Sequence, residues 1–270
     1  EVSAPSFSYG SMLFRKFNAT VETVGDTIFT IANIEKMQDD GTPILLDVNA
    51  KAFNNKLQSH IFCDTHGDTP LKGMLNAETD FLIDDSGHRV AHIRIHPSEI
   101  LVDKSIWHVQ PSDILYGNNQ LTIDYFQINN NNQHINISGR ATQNPNDSLV
   151  VDLNNIDVGY VLDLVNFHSV EFSGFASGKA IVKNLFHAPD ANASLIVNDF
   201  RFEKGRMGTL YASANYDINT EQINISARTD DEPYVIDDGK KTVLTGDTYI
   251  NGFVSPKRKD LNIHIITDGA

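Results

Sequence analysis

Apolar and polar residues alternate along most of this chain. Leu121-Thr122-Ile123-Asp124-Tyr125 does so, as do Ile135-Asn136-Ile137-Ser138, Ile223-Asn224-Ile225-Ser226-Ala227 and Leu261-Asn262-Ile263-His264-Ile265. A period of two sends successive side chains to opposite faces of an extended backbone, so each run predicts a strand with one dry and one wet face. Turn formers separate the runs: Asp39-Asp40-Gly41, Asp84-Asp85-Ser86-Gly87, Asn129–Asn132, Pro145-Asn146-Asp147 and Asp237-Asp238-Gly239. Asn, Asp and Gly tolerate the backbone angles that hairpin turns require. These signals recur every roughly 10 to 18 residues, which suits consecutive antiparallel hairpins rather than βαβ units. The expected class is all-β, an elongated and curled antiparallel sheet with the form of a trough.

One segment departs from the alternation. Asp157 precedes Val158, Val161, Leu162 and Val165 at helical spacing, which predicts one short amphipathic helix over 157–166 with Asp157 as its N-cap. Its apolar stripe is expected to cover exposed core at an end or open face of the sheet. No low-complexity linker interrupts the chain, so residues 1–270 are expected to form one continuous elongated domain, with a softer internal division near 105–120. The second half repeats itself loosely: Gly178-Lys179-Ala180-Ile181-Val182, Pro189 and Leu195-Ile196-Val197 resemble Gly246-Asp247-Thr248-Tyr249-Ile250, Pro256 and Leu261-Asn262-Ile263. A weak repeat of hairpins suits a sheet that grows along one axis.

The alternation also names the dry face. Its inward-pointing set is Leu121, Ile123 and Tyr125; Ile135 and Ile137; Leu149, Val151 and Leu153; Leu195 and Val197; Phe200 and Phe202; Ile223 and Ile225. An ordinary sandwich core would need this pattern. So would a single sheet curled into an open trough, whose apolar floor takes acyl chains or an unfolded strand.

Composition narrows the partners. Hydrophobic residues make up 40% of the chain, enough for a core, and 21 Lys plus Arg against 35 Asp plus Glu give 21 − 35 = −14. Binding to a phosphate backbone rests on clustered Lys and Arg, so no nucleic-acid partner is expected. The same balance disfavours docking onto an anionic membrane through basic residues. Cys63 is the single cysteine, so no intrachain disulfide can form. No apolar run approaches the ~20 residues that span a bilayer. The first residue is Glu1, and the sequence is expected to be an excised piece of a longer protein whose anchor lies outside it.

Candidate chemistry is sparse. His60, Cys63, Asp64, His66 and Asp68 lie close together but fit no zinc spacing, and they read as a strand running into a turn. His92, Arg94 and His96 alternate with apolar residues and share the wet face of a strand, where the arginine would repel a cation. Most carboxylates stand at turns, where Asp is favoured for backbone reasons. Of the Asn-x-Ser/Thr triplets at Asn18, Asn136, Asn192 and Asn224, three lie in alternating runs, and strand polarity explains them more simply than glycosylation. No nucleophile elbow or glycine-rich phosphate loop is present. The expectation is therefore a non-enzyme with no catalytic, cofactor or metal site. A carbohydrate-binding or adhesive β-module is the alternative, with Trp107 and eight Tyr as its limited supply of aromatic platforms. An enzyme acting on polysaccharide ranks last, since it rests only on abundant carboxylates.

From Trp107 onward the order of segments resembles a known family. It runs Ile106-Trp107-His108-Val109, Leu121–Phe126, His134-Ile135-Asn136-Ile137-Ser138-Gly139, then Pro145-Asn146-Asp147-Ser148-Leu149-Val150-Val151. Phe172-Ser173-Gly174-Phe175-Ala176-Ser177-Gly178, Asn184-Leu185-Phe186-His187-Ala188-Pro189, Leu195–Phe200 and Met207-Gly208-Thr209-Leu210-Tyr211-Ala212 follow. This order, strongest over 105–255, resembles the translocation and assembly module proteins of the TamB type in their Bacteroides-like form. The resemblance implies the periplasmic portion of an inner-membrane-anchored envelope protein, related to AsmA-like bridge lipid carriers and built as a β-taco with an apolar lining. It implies transport of phospholipid towards the outer membrane, or assembly of outer-membrane β-barrel proteins with a BamA-like partner reached through other parts of the full protein. It carries over no catalytic residues.

Overall fold

The computed structural model describes residues 1–270 apart from 11, 39–40, 67–69, 160–171, 204, 231–233, 237–240, 244–246, 256–257, 259 and 268–270. Among the described residues there are 21 strands, and their pairings are antiparallel. The all-β antiparallel class read from the alternation is the class found. The chain forms two compact units, Glu1–Asn131 and Asn132–Ala270. Residues 105–120, where the softer division was expected, lie within the first.

In the first unit β1 (Val2–Tyr9), β2 (Met12–Val24), β3 (Thr27–Met37), β4 (Pro43–Phe53), β5 (Lys56–Asp64) and β6 (Leu71–Ile83) follow one another as hairpins. The next strands are broken. β7 (Arg89–Ile95) and β8 (Ser98–Val102) lie end to end along β6, and β10 (Ser112–Gly117) and β9 (Ser105–Val109) lie end to end beside them. β11 (Gln120–Asn130) then pairs with both β10 and β9.

Pro97 and Pro111 stand in the two gaps. Proline has no N–H to give the ladder, so neither strand can run through it. Each gap also absorbs one extra residue. Ile95 pairs with Ala77 while Ile100 pairs with Gly73, which places Ile95 and Ser98 on one face although they are three positions apart. The backbone opposite Pro97 stays satisfied: His96 N–H donates to the Asn76 carbonyl at 2.9 Å, and Asn76 N–H donates to Ser98 Oγ at 3.3 Å.

The second unit is a meander of β12 (Gln133–Ala141), β13 (Ser148–Asp157), β14 (Phe172–Lys183), β15 (Asp190–Phe202), β16 (Gly205–Asp217) and β17 (Gln222–Asp230). A short hairpin, β18 (Tyr234–Ile236) with β19 (Lys241–Val243), interrupts it before β20 (Thr248–Ser255) and β21 (Asp260–Thr267) complete the ladder. Extra residues at 153–156 in β13, 197–200 in β15 and 206–208 in β16 bulge these strands near one end. There Ala176, Val197, Phe200, Leu210 and Ala227 form a buried cluster, with Phe172, Met207 and Ile250 packed against it. The predicted helix over 157–166 falls mostly outside the described residues. Asp157 closes β13, Val158 and Gly159 take helical angles, and Asp157 Oδ1 accepts the Gly159 N–H at 2.9 Å, which is the contact an N-cap makes.

Gly178 is held by the close approach of β14 and β15. Its φ is +153°, and a Cβ there would lie 2.1 Å from the Ser194 carbonyl oxygen. Gly178→Ala is expected to lower the unfolding free energy by roughly 2–4 kcal/mol, measured from urea midpoints. Lys179→Ala, one residue along on the wet face, should stay within about 1 kcal/mol.

Candidate functional site: the apolar face

Directly paired residues share a face, so register carries the dry positions into rows that cross the strands. In the second unit one row reads Ile137–Val151–Ala180–Ala193–Ala214–Ile225–Gly252–Ile263. Its neighbour reads Ile135–Leu153–Gly178–Leu195–Ala212–Ala227–Ile250–Ile265. Neither row contains a polar residue. The row between them on the opposite face reads Asn136–Asp152–Lys179–Ser194–Ser213–Ser226–Asn251–His264, and contains no apolar one. In the first of the dry rows small side chains at Ala180, Ala193 and Ala214 lie between branched ones at Val151 and Ile225, which leaves a furrow floored by alanine.

The first unit has its own dry rows, such as Ile28–Ala52–Leu57–Thr79–Ile93–Ile114–Ile123. Cover on this face is uneven. Beside the proline breaks Trp107 and Val109 are buried, whereas towards the β6–β7 and β10–β11 turns Phe81 is 51% and Tyr116 49% exposed. Phe81 and Tyr116 both pair with Ala91 and so belong to one dry row. The face is closed near the breaks and open towards those turns.

The residues expected to line a groove fall on these dry faces. Leu121 and Ile123 lie in the first unit, opposite Tyr116 and Ile114. Ile135, Ile137, Val151, Leu153, Leu195, Ile223 and Ile225 are half-buried in the second. Leu149, Val197 and Phe200 are buried, and Phe202 pairs with Phe172, their ring centroids 5.4 Å apart. Tyr125, of the expected inward set, is 45% exposed. Ile123 pairs with Ile114 and Ile128 with Val109, both dry positions, so the alternation slips by one residue between them. The signal that would have found such slips is the change of parity across Pro97 and Pro111.

The wet face of the first unit is held by ions that sequence spacing did not connect. Register sets Lys56 against Asp80 and Glu78 against Arg94. Lys56 Nζ lies 2.6 Å from Asp80 and 3.4 Å from Glu78, while the Arg94 guanidinium donates to Asp80 at 2.6 Å and also to Glu78. The bond from Arg94 holds the Glu78 carboxyl below its usual range, and the bond from Lys56 does the same for Asp80. His92 shares this face and bonds Asp113 at 2.6 Å, whereas His96 lies beyond the end of β7 and is exposed.

The suspected ligand set is dispersed. Asp64 receives Lys72 Nζ at 3.0 Å and the His66 N–H at 3.1 Å, and Cys63 points to the dry face opposite Leu46. Asp68 lies outside the described residues. Among the described residues no group of three or more His, Cys, Asp or Glu could hold a metal. A shallow depression of about 540 Å³ beside Pro97 is lined by Asn76, Ser98, Glu99, His108 and Gln110, and has one carboxylate among its lining residues. No family model, no curated protein and no solved structure matches this chain.

Because Glu78 and Asp80 titrate below the ordinary carboxylate range when folded, they stabilise the fold fully above that range. The contribution is lost as pH falls through it towards the folded values. The urea midpoint should therefore drop between about pH 5 and pH 3. Arg94→Met should lower the midpoint at neutral pH and flatten that drop.

Proposed function

We propose that this chain is a non-catalytic segment of a periplasm-spanning envelope protein of the TamB-like, AsmA-related kind. Its dry face serves as an apolar conduit for phospholipid acyl chains moving towards the outer membrane. The observation that supports this reading is a set of apolar rows, each crossing many strands, that are sealed near the bulges and breaks and only half covered elsewhere. A closed sandwich core would bury Ile137, Val151, Ile225 and Phe81; here they are half-buried or exposed.

The energetics suit a carrier. Moving a methylene from water to an apolar surface gains about 0.8 kcal/mol at full burial. A chain lying on a half-covered face recovers only part of this per carbon, so it is held against water and can still leave. The order of segments from Trp107 onward supports the family context. In that context the membrane anchor and any BamA-like barrel partner in outer-membrane protein assembly belong to other parts of the full protein. The charge of −14 supports a partner other than nucleic acid.

Photo-crosslinking tests the reading. Benzoylphenylalanine placed at Ile137 or Val151 in cells should yield phospholipid adducts by mass spectrometry, and the same probe at Ser213 on the wet face should not. Equal labelling from both faces, or no lipid from either dry position, would overturn it.

A further inference from the structure

We propose that Arg89 receives the phosphate of a phospholipid whose acyl chains run down the dry face of the first unit, so that this cation selects the lipid by its headgroup. The proposal rests on the conduit reading and adds which lipid is taken and which way round it lies. Exposure on this face falls row by row along the strands. Ile83 pairs with Arg89 and is 73% exposed. The row inside it sets Phe81 and Tyr116 on either side of Ala91, both exposed. Ile93 and Ile114 in the next row are half-buried. In the row beyond, Ile95 is 8% and Ser112 4% exposed. From Ala91 to Ile95 is four residues (95 − 91), about 14 Å of strand. One acyl chain occupies half of the ~30 Å hydrocarbon core of a bilayer, about 15 Å. The strip is therefore one chain deep, open at one end and sealed at the other.

Arg89 stands at the open end. It lies two residues outside Ala91 on β7, so it has the parity of the dry face, and it is exposed. Among the described residues no carboxylate pairs with it, in a chain that carries −14. The acidic residues nearby are engaged elsewhere or point away. Asp84 accepts the Ser86 and His88 N–H groups at 2.9 and 2.8 Å. Glu78 and Asp80 belong to the wet face with Lys56 and Arg94, and Asp85 is at the exposed tip of the turn. Gly117 fixes the backbone that carries the cation: a Cβ there would lie 2.5 Å from the Arg89 carbonyl oxygen, so a side chain would push β10 away. A guanidinium offers a planar fork of N–H donors that matches two phosphate oxygens, and it is weakly hydrated, which suits the edge of an apolar surface. With the phosphate at Arg89, the chains pass Phe81 and Tyr116 and end at the sealed row. The reversed lipid would bring its phosphate to Ile95 and leave that charge unpaired among apolar groups.

Trp107, the single tryptophan, is buried on the sealed side and reports the occupant by its fluorescence. Phosphatidylglycerol with brominated chains should quench Trp107 at roughly tenfold lower concentration than diacylglycerol carrying the same chains. Arg89→Gln should erase that preference with its circular dichroism unchanged, and Arg89→Lys should keep part of it. Bromines near the methyl end of the chain should quench more than bromines near the ester. Equal potency of the two lipids, a preference that survives Arg89→Gln, or stronger quenching from the ester end would overturn the proposal. Unquenched Trp107 alongside lipid adducts at Ile137 would overturn it too and leave the conduit reading standing. Loss of both signals would end both.

Discussion

Antiparallel register is the constraint on which everything else in this molecule depends. Because side chains alternate with a period of two, a strand displaced by one residue would send Ile, Val and Leu to the wet side and Asn, Ser and Lys to the dry one. The rows through Ile137 and Asn136 hold their opposite characters across eight strands. Register in the first unit is pinned from the wet side, where Lys56, Glu78, Asp80 and Arg94 interlock across β5, β6 and β7. In the second it is pinned from the dry side, where Gly178 admits the β15 backbone at a distance no side chain would allow.

Apart from the bulge of β2 at 15–18, the interruptions of the alternation gather. In the first unit Pro97, Pro111 and the slip in β11 lie in neighbouring strands, each adding one residue. In the second, β13, β15 and β16 each gain one residue near the buried cluster around Phe200. An isolated bulge twists one strand. Neighbouring bulges bend the ladder together, turning side chains inward over a short stretch and leaving the rest of the face uncovered. Within each unit, the closed and open regions of its dry face thus have a common cause.

Much of this was legible in the chain. Ile135 and Ile137, or Ile223 and Ile225, announce strands because backbone geometry alone fixes their alternation, and turns such as Asp84–Gly87 and Pro145–Asp147 announce where hairpins reverse. His92 and Arg94 were placed on the wet face for the same reason. The parity change in β11 was missed because no residue between Ile123 and Ile128 declares it. The ion cluster was missed because Lys56 and Arg94 are 38 positions apart in sequence (94 − 56), and only the ladder sets both beside Glu78 and Asp80.

The sequence by itself determined the all-β class, the hairpin order and the membership of each face within an unbroken strand, since these follow from local geometry: a period of two and turns that need particular backbone angles. Only the tertiary structure decided which dry residues are sealed and which stay open, and where the proline breaks align. Those properties belong to the relation between strands distant along the chain. No window of sequence contains both partners of such a relation.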